Sequence, residues 1–126
     1  MKFVCLGYLD EAAWGTLGAS TQQEMIEACT DYDRELQRHG HFASGFALQG
    51  AATATTVRWK NGKPAATDGP FAETKELLGG ILVLEAKDKD EAVRLIMRHP
   101  GIRMGGFEVR PADEDFMAQH PVMKDL

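Results

Sequence analysis

The stretch LGGILVLEAKDKDEAVRLIMRHPG, residues 78–101, sets the fold. Leu78 to Ala86 is the most apolar run of the chain, and such a run reads as a strand in the middle of a sheet, covered on both faces. Asp88-Lys89-Asp90-Glu91 follows with capping-box spacing, in which a short polar side chain and an acid three residues later satisfy the unpaired amides of a helix start. Val93, Ile96 and Met97 then make one apolar face, and His99-Pro100-Gly101 stops it. The spacing predicts a helix over 88–99. Beyond it, Phe107-Glu108-Val109-Arg110 alternates and is halted by Pro111, which predicts a last strand.

The same grammar opens the chain. Lys2 to Tyr8 reads as a buried strand, and Asp10 to Ser20 supplies polar and glycine punctuation. Thr21-Gln22-Gln23-Glu24 has the form of a capping box. Met25, Cys29, Tyr32 and Leu36 fall along one face, and Gly40 stands where a C′ glycine belongs, so a helix is predicted over 21–39. Phe42 to Leu48 reads as a strand with Gly45 as a bulge. Residues 53–60 and 63–67 read as a hairpin around Asn61-Gly62, a pair that favours a type I′ turn. Asp68-Gly69-Pro70 ends it, with Asp68 able to close an Asx-turn. The order is strand, helix, strand, hairpin, strand, helix, strand. That order predicts an α+β, ferredoxin-like antiparallel sheet with two helices on one face and an inserted β-hairpin. The other sheet face needs a cover, and a second copy related by a twofold axis is the simplest one, so a homodimer is expected.

With 126 residues, 44% apolar and 26% charged, the chain has room for one domain and a sizeable core. We place the domain at 1–112 and read 113–126 as an acidic C-terminal tail or arm. A net charge of −5 argues against nucleic acid as a partner. The longest aliphatic run, Ile81 to Leu84, is far too short for a membrane helix, and the first residues lack a secretory pattern, so a cytoplasmic address is expected. Cys5 and Cys29 stand alone in apolar segments and read as reduced core thiols.

No cofactor motif and no strong metal motif is present. His39 and His41 flank the expected helix end without a third ligand at a recognisable spacing, so no metal is assigned. The unusual segment is Thr67 to Glu76, with a turn, one aromatic and four ionisable groups in ten residues. A carboxylate constrained beside Phe71 is suited to general acid or base work if it is desolvated. The bland account is a solvated connector anchored by Phe71. His99 reads as a helix-end residue that bonds the last carbonyls, with catalysis as its alternative. Glu108 and Arg110 share a strand face, placed for an ion pair or for clamping a carboxylate.

Asp68-Gly69-Pro70-Phe71-Ala72-Glu73-Thr74-Lys75-Glu76, then Gly79-Gly80, then Glu108-Val109-Arg110-Pro111, resemble the signature of the DGPF proteins, a branch of the YCII-related family. The resemblance runs from the first strand to Pro111. It implies a dimeric α/β-barrel fold; the family's molecular function is largely unknown, and some bacterial members are encoded beside extracytoplasmic-function sigma factors. More distant relatives include a dehydrochlorinase acting on a chlorinated ring, and muconolactone-isomerase-like enzymes share the fold. The wider group places a His on the first helix to work with an Asp, whereas Glu24 to Arg38 here contains no His.

The expectation is therefore a small-molecule site beside the Asp68–Glu76 loop, taking an organic acid or phenol for a cofactor-free lyase or isomerase step. Asp68, Glu73 and His99 are its candidate catalytic groups, with Phe71, Lys75 and Arg110 holding the substrate. The alternative is a non-catalytic regulatory module linked to a sigma factor.

Overall fold

The computed structural model describes residues 1–126. Strand β1 (Lys2–Leu9) lies between β5 (Leu77–Glu85) and β6 (Phe107–Pro111), and β2 (Phe42–Ala47) flanks β5, giving the order β2-β5-β1-β6. Every neighbouring pair is antiparallel. Because Phe3 sits opposite Leu84 and Cys5 opposite Leu82, these four side chains share one face of the two central strands. All four are buried, and Phe3, Cys5 and Leu84 are completely so.

Helices α2 (Ala19–Arg38) and α3 (Lys89–Met97) cover that face, bringing Tyr32, Leu36 and Ile96 onto Cys5, Leu82 and Leu84. A second small cluster joins Phe3 to Ala86 and Ala92 at the start of α3. This is the ferredoxin-like α+β arrangement. On the opposite face Val4 pairs with Val83 and Leu6 with Ile81, all four half-buried, with the exposed Phe46 beside Ile81. No helix is long and apolar enough to cross a membrane.

The α3 start follows its sequence closely: the Asp88 carboxylate accepts from the Glu91 amide at 2.9 Å, and the Glu91 carboxylate accepts from the Lys87 amide at 3.0 Å. The first long helix departs from expectation. It begins at Ala19 behind Gly18, with no side-chain cap, so Thr21 and Glu24 already lie within the helix. The chain uses its cap earlier: Asp10 accepts from the Ala13 amide at 3.0 Å and starts a five-residue helix, α1 (Glu11–Gly15), where an irregular loop was expected.

Strands β3 (Thr55–Lys60) and β4 (Lys63–Asp68) form a separate two-stranded ribbon, turning at Asn61 (φ 54°) and Gly62 (φ 76°). Its base is closed by backbone and hydroxyl, with the Gly69 amide donating to Ala54 O at 2.8 Å and Thr56 Oγ1 donating to Gly69 O at 2.8 Å. The expected Asx closure by Asp68 is replaced by these bonds. Residues 114–119 form a short helix, α4, whose start is capped by Asp113.

Candidate functional site

The sheet leaves a space where its side chains vanish. Gly7 on β1 lies opposite Gly80 on β5, with Gly79 preceding it and Ala47 of β2 on its other side, and Gly45 stands opposite Leu82 two residues along, so small residues cluster where the three strands meet. Above this floor runs an α2 stripe, Ile26, Cys29, Thr30 and Asp33, at the i, i+3, i+4, i+7 spacing of one helix face. Trp14, Phe42 and Phe107 are among the remaining walls of a chamber of about 540 Å³. That volume suits one substituted ring or a small organic acid.

Two polar groups meet at its wall. His99 follows α3, and Pro100 after it starts a tight 3-10 turn, Pro100–Arg103, that folds the Gly101 amide back onto the imidazole. Gly101 N donates to His99 Nδ1 at 2.9 Å, and His99 Nε2 lies 3.0 Å from Asp33 Oδ1. A backbone N–H can only donate, so Nδ1 holds a lone pair and the ring proton sits on Nε2, directed at the carboxylate. Tyr32 meets the ring edge-on at 5.3 Å between centroids, and Phe107 lies at 5.4 Å on a tilt. The residue is 6% exposed.

This arrangement distributes the roles. Both His99 nitrogens are engaged within the chain, so the ring has no free atom for a ligand. Asp33 uses only Oδ1, its side chain is 36% exposed, and Oδ2 has no protein partner. The chamber therefore presents a carboxylate steered by a buried neutral imidazole. The nearby thiols are inert by comparison. Burial pushes Cys5 up to about 11, and burial reinforced by the Asp33 charge raises Cys29, so both stay protonated at neutral pH. The Tyr32 phenol is also raised, chiefly by burial, with Arg98 opposing and Glu35 and Asp33 adding, and it donates to Leu95 O at 2.6 Å.

The lock on the ring is testable. A Cβ at Gly101 would lie 2.9 Å from His99 Nδ1 and 3.3 Å from the Phe107 ring. Gly101→Ala is expected to push the imidazole off Asp33 and cost about 1–2 kcal/mol of stability through overpacking. Nitrogen NMR of the imidazole checks it: the wild type should show a single Nε2–H tautomer and the variant a mixture.

Of the candidate catalytic and substrate-holding residues Asp68, Glu73, His99, Phe71, Lys75 and Arg110, His99 alone lines this chamber. Asp68 ends β4 in an exposed position, and Glu73 is exposed in the following loop. Phe71 is 73% exposed and lies under the Arg58 guanidinium at 4.0 Å. Glu108 and Arg110 pair with Leu6 and Val4 on the outer sheet face, away from the chamber, and their own charges are 3.7 Å apart in solvent. Lys75 lies elsewhere again, in a polar recess with Tyr8, Asp10, Thr74 and Glu76, where its ammonium is 3.8 Å from Asp10. Tyr8 lines both spaces, so the recess adjoins the chamber. His99 differs from its expected role as well: its backbone amide bonds Ile96 O, while its ring leaves the helix end for Asp33. His41 Nδ1 bonds Glu85 O at 2.8 Å. Asp33 is not legible in the apolar face Met25, Cys29, Tyr32 and Leu36, because it lies one position to the side of Tyr32; the neighbouring stripe, 26-29-30-33, carries the signal.

Fold and chamber define a class: a ferredoxin-like domain with a carboxylate–imidazole pair at the wall of a cavity between helix and sheet. The YCII-related domain matches residues 1–114, and the chain belongs to that family. It is 27% identical over 113 residues to the uncharacterized protein R00369 of Rhizobium meliloti (strain 1021), covering 88% of this chain and 91% of that one. Among solved structures it is similar to 5-chloro-2-hydroxyhydroquinone dehydrochlorinase (TftG) from Burkholderia phenoliruptrix AC1100 in complex with 2,5-dihydroxybenzoquinone. The TM-score is 0.55 at 15% identity, over 90% of this chain and 95% of that one. At that identity the likeness is one of fold.

Proposed function

We propose that the chain binds a small hydroxylated ring or organic acid in the glycine-floored chamber and moves a proton on it without a cofactor, as a lyase or isomerase does. The carrying observation is the Asp33–His99 pair, 3.0 Å apart at the wall of an otherwise largely apolar cavity. Asp33 Oδ2 takes a proton from an O–H or C–H of the substrate, and the electron pair left behind forms a new double bond. In an isomerisation the proton returns at another carbon; in an elimination a neighbouring bond breaks and its electrons leave with the departing anion. His99, donating from Nε2, holds the carboxylate in place and is a positioning residue. Lys75, in the adjoining recess, is placed to attract an anionic substituent. A dehydrochlorinase solved in complex with 2,5-dihydroxybenzoquinone shares the fold, which supports this substrate class. No observation favours a regulatory link to a sigma factor. The outer sheet face with Val4, Leu6, Ile81, Val83 and Phe46 takes a second copy, giving a homodimer.

The probe is 2,5-dihydroxybenzoquinone, followed by a panel of phenols and small organic acids. Calorimetry should detect binding to the wild type and to Arg110→Ala, and lose it in Cys29→Phe, which fills the chamber. A folded Cys29→Phe protein that binds as tightly as wild type would overturn the assignment of the chamber.

A further inference from the structure

One wall of the chamber stands apart from the rest. Trp14 comes from α1, whereas every other lining residue belongs to the sheet, to α2 or to the segment 99–107. Helix α1 is five residues long and buries none of them, so it has no apolar anchor of its own. Three polar ties hold it instead. The Asp10 carboxylate caps its start through Oδ1, and Oδ2 lies 3.8 Å from Lys75 Nζ. Glu11 Oε1 accepts from the Ala51 amide at 2.8 Å, at the head of the 3-10 turn Ala51–Thr53. The Gln22 side-chain amide donates to Trp14 O at 2.9 Å and joins the far end to α2. A wall held by a few partly solvated hydrogen bonds opens at lower cost than one packed into a core, and mobile lids over small-molecule sites are built this way.

Trp14 is the half-buried residue at the end of this tethered helix, between solvent and the chamber. The floor at Gly7, Gly79 and Gly80 offers a ligand only backbone, and Asp33 meets one edge of it, so neither limits its size. An indole adds a broad, rigid apolar face that stacks on a planar ring and leaves no room for a second ring fused to it. We propose that Trp14 is the specificity-determining residue of the chamber: carried on the α1 flap, it covers a single planar ring and excludes a fused two-ring ligand. Glu11, through its bond to Ala51, is the positioning residue that keeps the flap down. The inference rests on the ring-binding reading of the chamber and adds to it the size of the ligand and the part that selects it.

The test uses the full chain and two probes, 2,5-dihydroxybenzoquinone with one ring and hydroxynaphthoquinone with two. Calorimetry on the wild type should detect the first and not the second. Trp14→Ala is expected to raise the Kd of the one-ring probe about tenfold and to admit the two-ring probe, while Trp14→Phe keeps the wild-type order. Stopped-flow release of the one-ring probe should quicken about threefold in Glu11→Ala and return to the wild-type rate in Glu11→Gln, which keeps an acceptor oxygen for Ala51. A fluorotryptophan label, with Trp59→Phe removing the other indole, should show the Trp14 fluorine resonance shifting as the one-ring probe binds. If the wild type binds the one-ring probe, the inference is overturned and the chamber left standing by any of four results. These are a wild type that takes both rings alike, Trp14→Ala with wild-type affinity and selectivity, an unmoved fluorine resonance, and unchanged release in Glu11→Ala. A wild type that binds neither probe, or binding that survives in folded Cys29→Phe, overturns the chamber and this inference together.

Discussion

Asp33→Asn is expected to leave the protein folded and lower turnover by a factor of about 10² to 10⁴, the usual loss when a positioned base is removed. The amide oxygen can still accept the His99 Nε2–H that now reaches Oδ1 at 3.0 Å, so imidazole, Tyr32 and Phe107 keep their packing. What disappears is the ability to take up a proton at the atom facing the chamber. Binding of 2,5-dihydroxybenzoquinone should change little, because apolar walls supply most of the contact. His99→Gln should behave differently, reducing both stability and activity, since it removes a buried ring held from two sides. The comparison is made on whichever ring compound the wild type converts. Equal turnover by wild type and Asp33→Asn would remove Asp33 from the chemistry.

The largest stability effect is expected at Gly105. The loop before β6 approaches β1 so closely that a Cβ at Gly105 would overlap the Tyr8 carbonyl, and the contact is with backbone, which cannot swing aside. The same approach is fixed by the Tyr8 amide donating to Gly106 O at 2.8 Å. Gly105→Ala should therefore force the loop off β1 and cost about 3 kcal/mol, at the upper end of overpacking effects. For a chain of this size that is a fall in Tm of roughly 10 °C. Tyr8 is a wall of the chamber, so ligand affinity should fall as well. Gly106→Ala is the control, because its Cβ would meet nothing within 4 Å and its φ is ordinary. Equal melting temperatures for the two variants would show that the close approach is not present in solution.

The sheet and its two long helices were legible in the sequence because each is written locally. Leu82 and Leu84 sit in an uninterrupted apolar run, and Asp88 with Glu91 supplies the helix start within four residues. The start of α2 was not legible, because Gly18 caps it with no side chain and a capping-box pattern at Thr21 and Glu24 happens to lie inside the helix. The chemistry was less legible still. Asp33 and His99 are 66 residues apart, and only the fold joins them. The Asp68–Glu76 segment draws the eye by its density of charge beside an aromatic, yet Asp68 and Glu73 stay in solvent and only its Thr74, Lys75 and Glu76 reach the recess. Gly79-Gly80, less conspicuous in composition, help open the floor of the chamber.

The central claim is that a ring-bearing ligand occupies the space between α2 and the glycine floor and is met there by Asp33. A crystal structure with 2,5-dihydroxybenzoquinone soaked in tests it most directly. The account predicts the ring lying over Gly7 and Gly80, with one of its oxygens at hydrogen-bond distance from the free oxygen of Asp33 and His99 still bonded to the other. A ring seated instead against Glu108 and Arg110 on the outer sheet face, or in the Lys75 recess with the chamber left to water, would contradict it.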